Sequence, residues 1–191
     1  MEKLLTKTQT IERRGVFDKT LKKRFELTFE CKDSKEKKSI LVIGLNPASD
    51  TIEVLDTTTT YILNHFLSMG YSTITIWNLY ADIFKKLKPS IVKDNEENLE
   101  YLKEILKRNY DTILLGYGNT FLHNKLVNAE KEKLCTLLKN ERGKVKDLVD
   151  EERKYERIRT LHPLMAGRYF PNKWVLRDYP LEDERKEVKK K

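Results

Sequence analysis

Ser39-Ile40-Leu41-Val42-Ile43-Gly44-Leu45-Asn46-Pro47 is the stretch that decides the fold. Four apolar residues run without a break into a glycine. A strand with one wet face alternates apolar and polar residues. A strand covered on both faces need not, so this run reads as an inner strand of a sheet buried on both sides. Two stretches of similar texture follow, Thr73-Ile74-Thr75-Ile76-Trp77-Asn78-Leu79 and Thr112-Ile113-Leu114-Leu115-Gly116. A fourth candidate strand, Ile158-Arg159-Thr160-Leu161, leads into His162-Pro163.

Helical patterns separate these strands. Asp56 or an early threonine caps the first, Gly70 closes it, and Ile62, Leu63, Phe66, Leu67 and Met69 form its apolar face. The second spans residues 94–108, with Leu99, Leu102, Ile105 and Leu106 on one side; the third runs from Asn119 to about Leu138. Strand and helix alternation predicts an α/β fold of three layers, α/β/α, around a four-stranded mainly parallel sheet. Ahead of it, Phe25-Glu26-Leu27-Thr28-Phe29-Glu30 alternates like a half-buried strand, and residues 32–38 form a charged turn. The reading is one domain over residues 1–180. It opens with a basic, irregular N-terminal arm (1–24) and leaves a charged tail (181–191) expected to be disordered. Residues 143–152 are polar and fit no pattern.

Composition narrows the function. The chain has 191 residues, enough to bury a core without staples. Its 38 Lys and Arg against 30 Asp and Glu give a net charge of +8 and a pI near 9.3, the electrostatic footprint of a nucleic-acid binder, although a lysine-rich solvated surface looks the same. No apolar run approaches a membrane span, and the N-terminus lacks the apolar core of a signal peptide, so no membrane partner and a cytoplasmic location are expected. Two cysteines, Cys31 and Cys135, make no disulfide framework and no four-cysteine zinc or iron–sulfur site. His65 and His123 lie at no zinc spacing, and Gly116-Tyr117-Gly118 is followed by no Gly-Lys-Thr, so neither a metal nor a cofactor is expected.

In parallel sheets, ligands bind beyond the carboxyl ends of the strands. That rule selects residues 44–49, 78–82, 116–119 and 162–169. Gly44-Leu45-Asn46-Pro47-Ala48 after the first parallel strand and Leu161-His162-Pro163-Leu164 after the last resemble, in this order, the two active-site motifs of the uracil-DNA glycosylase superfamily. Thr75-Ile76-Trp77-Asn78-Leu79 is similar to the strand whose terminal asparagine reads the pyrimidine there. Leu114-Leu115-Gly116-Tyr117-Gly118-Asn119-Thr120 is similar to that superfamily's turn into a helix. The match covers roughly residues 39–170. The pattern also resembles a domain of unknown function found in bacteria, phages and mobile cassettes.

The resemblance implies a catalytic pair, Asn46 to position water and His162 to donate to the leaving base. It implies a base pocket of Gly44, Leu45, Pro47 and Asn78, and DNA contacts from Pro163, Leu164, Met165, Arg168 and Tyr169. A neutral amide orients water without adding charge, a histidine N–H stabilises a developing anion, and the Asn78 amide offers the donor and acceptor that a pyrimidine edge requires. Leu164 stands where most branches have serine, and Ala48 where motif one ends in glycine. No residue declares itself as the aromatic that stacks on the flipped base; Tyr61 and Phe66 are candidates that also suit a core. The leading expectation is therefore a DNA-binding member with lost or weak activity, favouring single strands or exposed ends. The alternatives are an active monofunctional uracil or modified-base glycosylase, and a partner or decoy for an acidic glycosylase-inhibitor protein. As plain sequence, Asn46-Pro47 is also a turn, and His162 before proline is also extended backbone.

Overall fold

The computed structural model describes residues 4–91, 95–171 and 173–181. Residues 182–191, nearly all of the charged tail, lie outside them. Seven strands form one sheet: β1 (Ile11–Phe17), β2 (Arg24–Cys31), β3 (Lys38–Gly44), β4 (Tyr71–Asn78), β5 (Thr112–Leu115), β6 (Val145–Asp150) and β7 (Trp174–Asp178), in the order β1-β2-β4-β3-β5-β6-β7. The neighbours β4-β3, β3-β5 and β5-β6 are parallel, whereas β1-β2, β2-β4 and β6-β7 are antiparallel. The fold is mixed α/β.

The sheet departs from the expected four strands at three places. The basic arm is not irregular: residues 11–17 pair with β2 as an edge strand. Residues 158–161 are not a strand. The last parallel strand is β6, inside the polar segment 143–152, and β7 returns antiparallel beside it. The pattern failed at β6 because Asp147 and Asp150 are both buried there and find their partners elsewhere in the chain.

The run at β3 explains the layers. Leu41 and Ile43 face a core built with Leu99, Leu102 and Ile105 of α2 (Glu96–Leu106) and Val127 and Leu134 of α3 (Lys125–Leu137). Ile40 and Val42 face a second core with Ile62, Leu63 and Phe66 of α1 (Thr57–Ser68) and Ala166 of α4 (Pro163–Tyr169). Phe66 is therefore core. Tyr61 packs against Gly167, where an added Cβ would sit 2.4 Å from its ring. Asp56 caps α1, accepting from the Thr59 N–H at 2.8 Å. The third helix starts six residues later than the pattern suggests, because Asn124, accepting from the Leu126 and Val127 N–H groups, is its cap.

Two buried carboxylates tie the added strands down. Glu26 of β2 is fully buried and takes both Arg108 Nη atoms at 2.8 Å, Arg14 at 2.8 Å, the Thr28 hydroxyl and the Tyr101 hydroxyl. Asp147 of β6 is fully buried and takes Arg177 through Nε at 2.9 Å and Nη2 at 2.7 Å. Burial alone would raise the Glu26 pKa, but hydrogen bonds from Arg108, Thr28 and Tyr101 overcome it and hold the carboxyl at about 2, against 4.5 ordinarily. The depressed pKa means that this stability is complete above pH 4.5 and lost as the pH falls toward 2, a contribution on the order of 3 kcal/mol. Denaturant titrations at pH 7 and pH 3 should show that loss. Glu26→Gln should destabilise the protein by about 2–4 kcal/mol at pH 7 and flatten the pH dependence. An unchanged profile would refute the role of Glu26.

Candidate functional site

The carboxyl ends of β4, β3 and β5 lie side by side, and the polar residues of the sequence motifs collect there. Gly44 pairs with Asn78 across β3 and β4, and Ile43 with Leu115 across β3 and β5. Gly44 has no Cβ because Asn78 occupies the space: a Cβ would meet Asn78 Oδ1 at 2.4 Å. Asn78 is only 5% exposed, and its amide makes no hydrogen bond to any described residue. Its backbone, by contrast, is fastened. The Asn98 amide donates to the Asn78 carbonyl at 3.0 Å, and the Asn95 amide to the Leu79 carbonyl at 2.8 Å. A buried amide left open on a fixed backbone is costly in a structural role and useful in a recognition role.

Asn46 is differently placed. Its Nδ2 donates to the Pro47 carbonyl at 2.9 Å and the Phe84 carbonyl at 2.7 Å. Both N–H donors are thus committed to the chain, and Oδ1 is the atom left to accept from a water or ligand. The loop after β4 closes over motif one through Tyr80 N–H to Leu45 O at 3.0 Å and Phe84 N–H to Pro47 O at 3.0 Å. Leu45 is half-buried and packs on the α2–α3 core, while Pro47 is buried.

His162 is the N-cap of α4, and its Nδ1 accepts from the Leu164 N–H at 3.2 Å. An accepting Nδ1 carries no proton, so the neutral ring has its proton on Nε2 and presents an N–H donor there. Burial pushes its pKa below the usual 6.5, and the negative charge of Asp56 only partly offsets this. The ring is held against Gly118, which has φ +74° and where a Cβ would sit 3.0 Å from His162 Cβ. Pro163 packs against Gly116 in the same way, at 3.1 Å.

The segment that delivers His162 is strained and clamped. Thr160 has φ +52°, a left-handed conformation that costs a β-branched residue roughly 1–2 kcal/mol. Its carbonyl accepts from Gly118 N–H at 2.9 Å, its hydroxyl donates to Asn119 Oδ1 at 3.2 Å, and Asn119 Nδ2 donates to Arg159 O at 2.9 Å. Arg177, already paired with Asp147, also donates to the Ile158 carbonyl at 3.1 Å. This clamp, rather than a strand, places His162.

The residues expected to meet DNA divide. Arg168 is exposed and makes no ion pair among the described residues. Leu164 is half-buried. Pro163 is buried and Met165 packs against the α1–α4 core, so neither is a free contact. Tyr169 stacks on Tyr155 at 4.9 Å with rings 12° from parallel, although 48% of it remains exposed. Lys19 and Lys22 lie in the basic arm, whereas Lys85, Lys86 and Lys88 were not singled out by the sequence. All are exposed, without ion pairs among the described residues. They rim the same end of the sheet, where the β1–β2 hairpin meets the loop after β4 through Ile83 N–H to Lys22 O at 2.9 Å. Arg24, beside them and the last residue of that arm, is buried, although it closes a Lys22-Lys23-Arg24 run that looks like surface.

The family described as "Protein of unknown function (DUF1643)" matches residues 24–164. The chain belongs to this family. The DUF1643 match opens at Arg24 and closes at Leu164, so it takes in Asn46, Asn78 and His162 together. No curated protein and no solved structure matches the chain. Among the described residues, no cluster of three or more His, Cys, Asp or Glu could hold a metal ion, and no helix is long and apolar enough to cross a membrane. A cavity of about 200 Å³ beside Gln9, Cys31 and Tyr71 lies at the other end of the strands, away from this chemistry.

Long-range ¹⁵N spectra at pH 7 should show His162 as the neutral Nε2–H tautomer, with a protonation midpoint below 6.5. A midpoint at or above 6.5 would contradict the geometry. Gly118→Ala should shift these resonances and lower stability by about 1–2 kcal/mol, through strain at positive φ and contact with His162.

Proposed function

We propose that this DUF1643 protein binds DNA through the carboxyl end of its parallel strands, on a uracil-DNA glycosylase-like fold whose glycosylase activity is lost or weak. The observation that carries the reading is the open, buried Asn78 amide beside Gly44, on the same sheet end as the neutral Nε2–H donor of His162. Together they offer what the edge of an unpaired base requires: an acceptor, a donor and a backbone close enough to approach. The rim of unpaired lysines supplies the attraction to phosphates. Because the amide sits inside a crevice, single strands or exposed ends, whose bases need no extrusion, are the favoured substrates.

Two features support weak or absent cleavage. Leu164 stands in place of the motif serine, and both Asn46 N–H donors are tied to backbone carbonyls. The His162 tautomer favours the second reading, an active monofunctional glycosylase, since a neutral imidazole donating from Nε2 suits a leaving base. An acidic inhibitor protein is the other partner that the lysine rim would suit.

One gel experiment separates these readings. Labelled single-stranded, duplex and tailed oligonucleotides, each with and without a central uracil, are read for binding before alkali and for strand scission after it. Binding to single strands and tails that ignores uracil, without scission, is the expected result. Lys85→Glu combined with Lys86→Glu should weaken it at least roughly tenfold at moderate salt and reduce the salt slope by about two. Uracil-dependent scission abolished by His162→Ala would establish the enzyme reading instead, and failure to bind any DNA would overturn both.

A further inference from the structure

Arg24, the first residue of β2, is 4% exposed. A guanidinium carries five N–H donors and does not shed its charge. Here one bond is made, Nη1–H to the Ser49 carbonyl at 3.2 Å. Nε is sealed from solvent and without a partner, and Nη2 has none among the described residues. No carboxylate lies within ion-pair distance among those residues.

The rest of the chain makes this unusual. The other buried charges among the described residues are engaged: Glu26 with Arg108 and Arg14, Asp147 with Arg177 and Arg159, Asp150 with the Lys154 and Tyr155 N–H groups, and Lys131 over the Tyr117 ring. Arg24 is desolvated as fully and left open, and burial lowers its pKa from the ordinary arginine value. Asp56 acts on it electrostatically, but that carboxylate is engaged in capping α1 at the Thr59 N–H. A buried cation without a counter-charge is strongly unfavourable unless an anion completes it.

We propose that Arg24 anchors a subsite for a terminal phosphate monoester on a nucleic-acid strand. The inference rests on the DNA-binding reading above and names the group that the crevice takes. The bond to Ser49 uses Nη1 and Nε is sealed, so Nη2 is the end of the guanidinium left to meet an oxygen of a tetrahedral anion. The charge of Asp56, at the N-terminus of α1, bears on both Arg24 and His162. The lysine rim selects a polyanion over a small carboxylate, since it draws charge from the length of a strand. Depth selects the end of that strand. Arg24 is too deeply buried to meet a phosphodiester, which carries a sugar on each side, whereas a monoester carries one and brings about −1.5 to −2 charges.

Fluorescence anisotropy with one single-stranded sequence in three forms tests this: 5′-phosphorylated, 3′-phosphorylated, and hydroxyl at both ends. One phosphorylated form should bind the wild-type protein roughly tenfold more tightly than the hydroxyl form, as one charge-assisted hydrogen bond would predict. Millimolar inorganic phosphate should erase that gain and raise the melting temperature. Arg24→Lys should lose most of the gain that the phosphorylated form shows over the hydroxyl form. Equal wild-type binding of all three forms would overturn the subsite and leave DNA binding standing, whether or not the variant folds. Inorganic phosphate raising the melting temperature of the wild type but not of Arg24→Lys, without binding of any strand, would keep an anion site at Arg24 but overturn its assignment to a strand end. A gain fully retained by Arg24→Lys would place the phosphate elsewhere and overturn the assignment.

Discussion

The requirement that β3 be covered on both faces governs this molecule. Two residues of its apolar run point each way, and neither pair can be left in water. Two helices must therefore lie on each side, and parallel neighbours reached by crossover connections supply them. Because these strands run the same way, every loop that follows one of them leaves at the same end of the sheet. The grouping of Asn78, Gly44 and Gly116 is a consequence of that covering, before any selection for chemistry.

Much of the centre was legible because its signals are local. The β3, β4 and β5 runs, the Asp56 cap and the apolar face of α1 can each be read within a dozen residues. The outer strands were not, because what holds them is distant. Asp147 looks like a solvated residue until Arg177, thirty positions on, is brought against it. Arg14 and Glu26 look like ordinary surface charge until Arg108 arrives from beyond α2. Residues 158–161 mislead for the opposite reason: Ile158 and Leu161 do face the core, but Thr160 turns left-handed between them. Among the candidate site residues, Asn46 and Asn78 could be found because one follows a strand and the other ends one, and His162 was found through its motif although no strand precedes it. Arg24 could be read only as the end of the basic arm, and its burial was hidden because it opens an antiparallel strand that begins where the parallel strands end.

The site combines two kinds of order. Asn78 and Arg24 belong to the sheet and are fixed by it, whereas Asn46 and His162 are carried on loops and fixed by hydrogen bonds. Both motif residues have spent some of their bonding capacity on their own backbone, Asn46 through its amide N–H groups and His162 through Nδ1. What each keeps is a single aimed atom. Recognition with one atom per residue is specific in direction and weak in grip, so affinity must come from the charged surroundings.

Thr160 carries a consequence for how the molecule responds to heat. Its conformation is maintained only while Gly118, Asn119 and the Asp147–Arg177 pair stay in register. The residues leading to His162 are thus a small cooperative unit, less deeply anchored than the four central strands. On warming, this unit opens before the sheet does. A state that still looks folded by its helices, yet no longer holds His162 in place, is the expected intermediate.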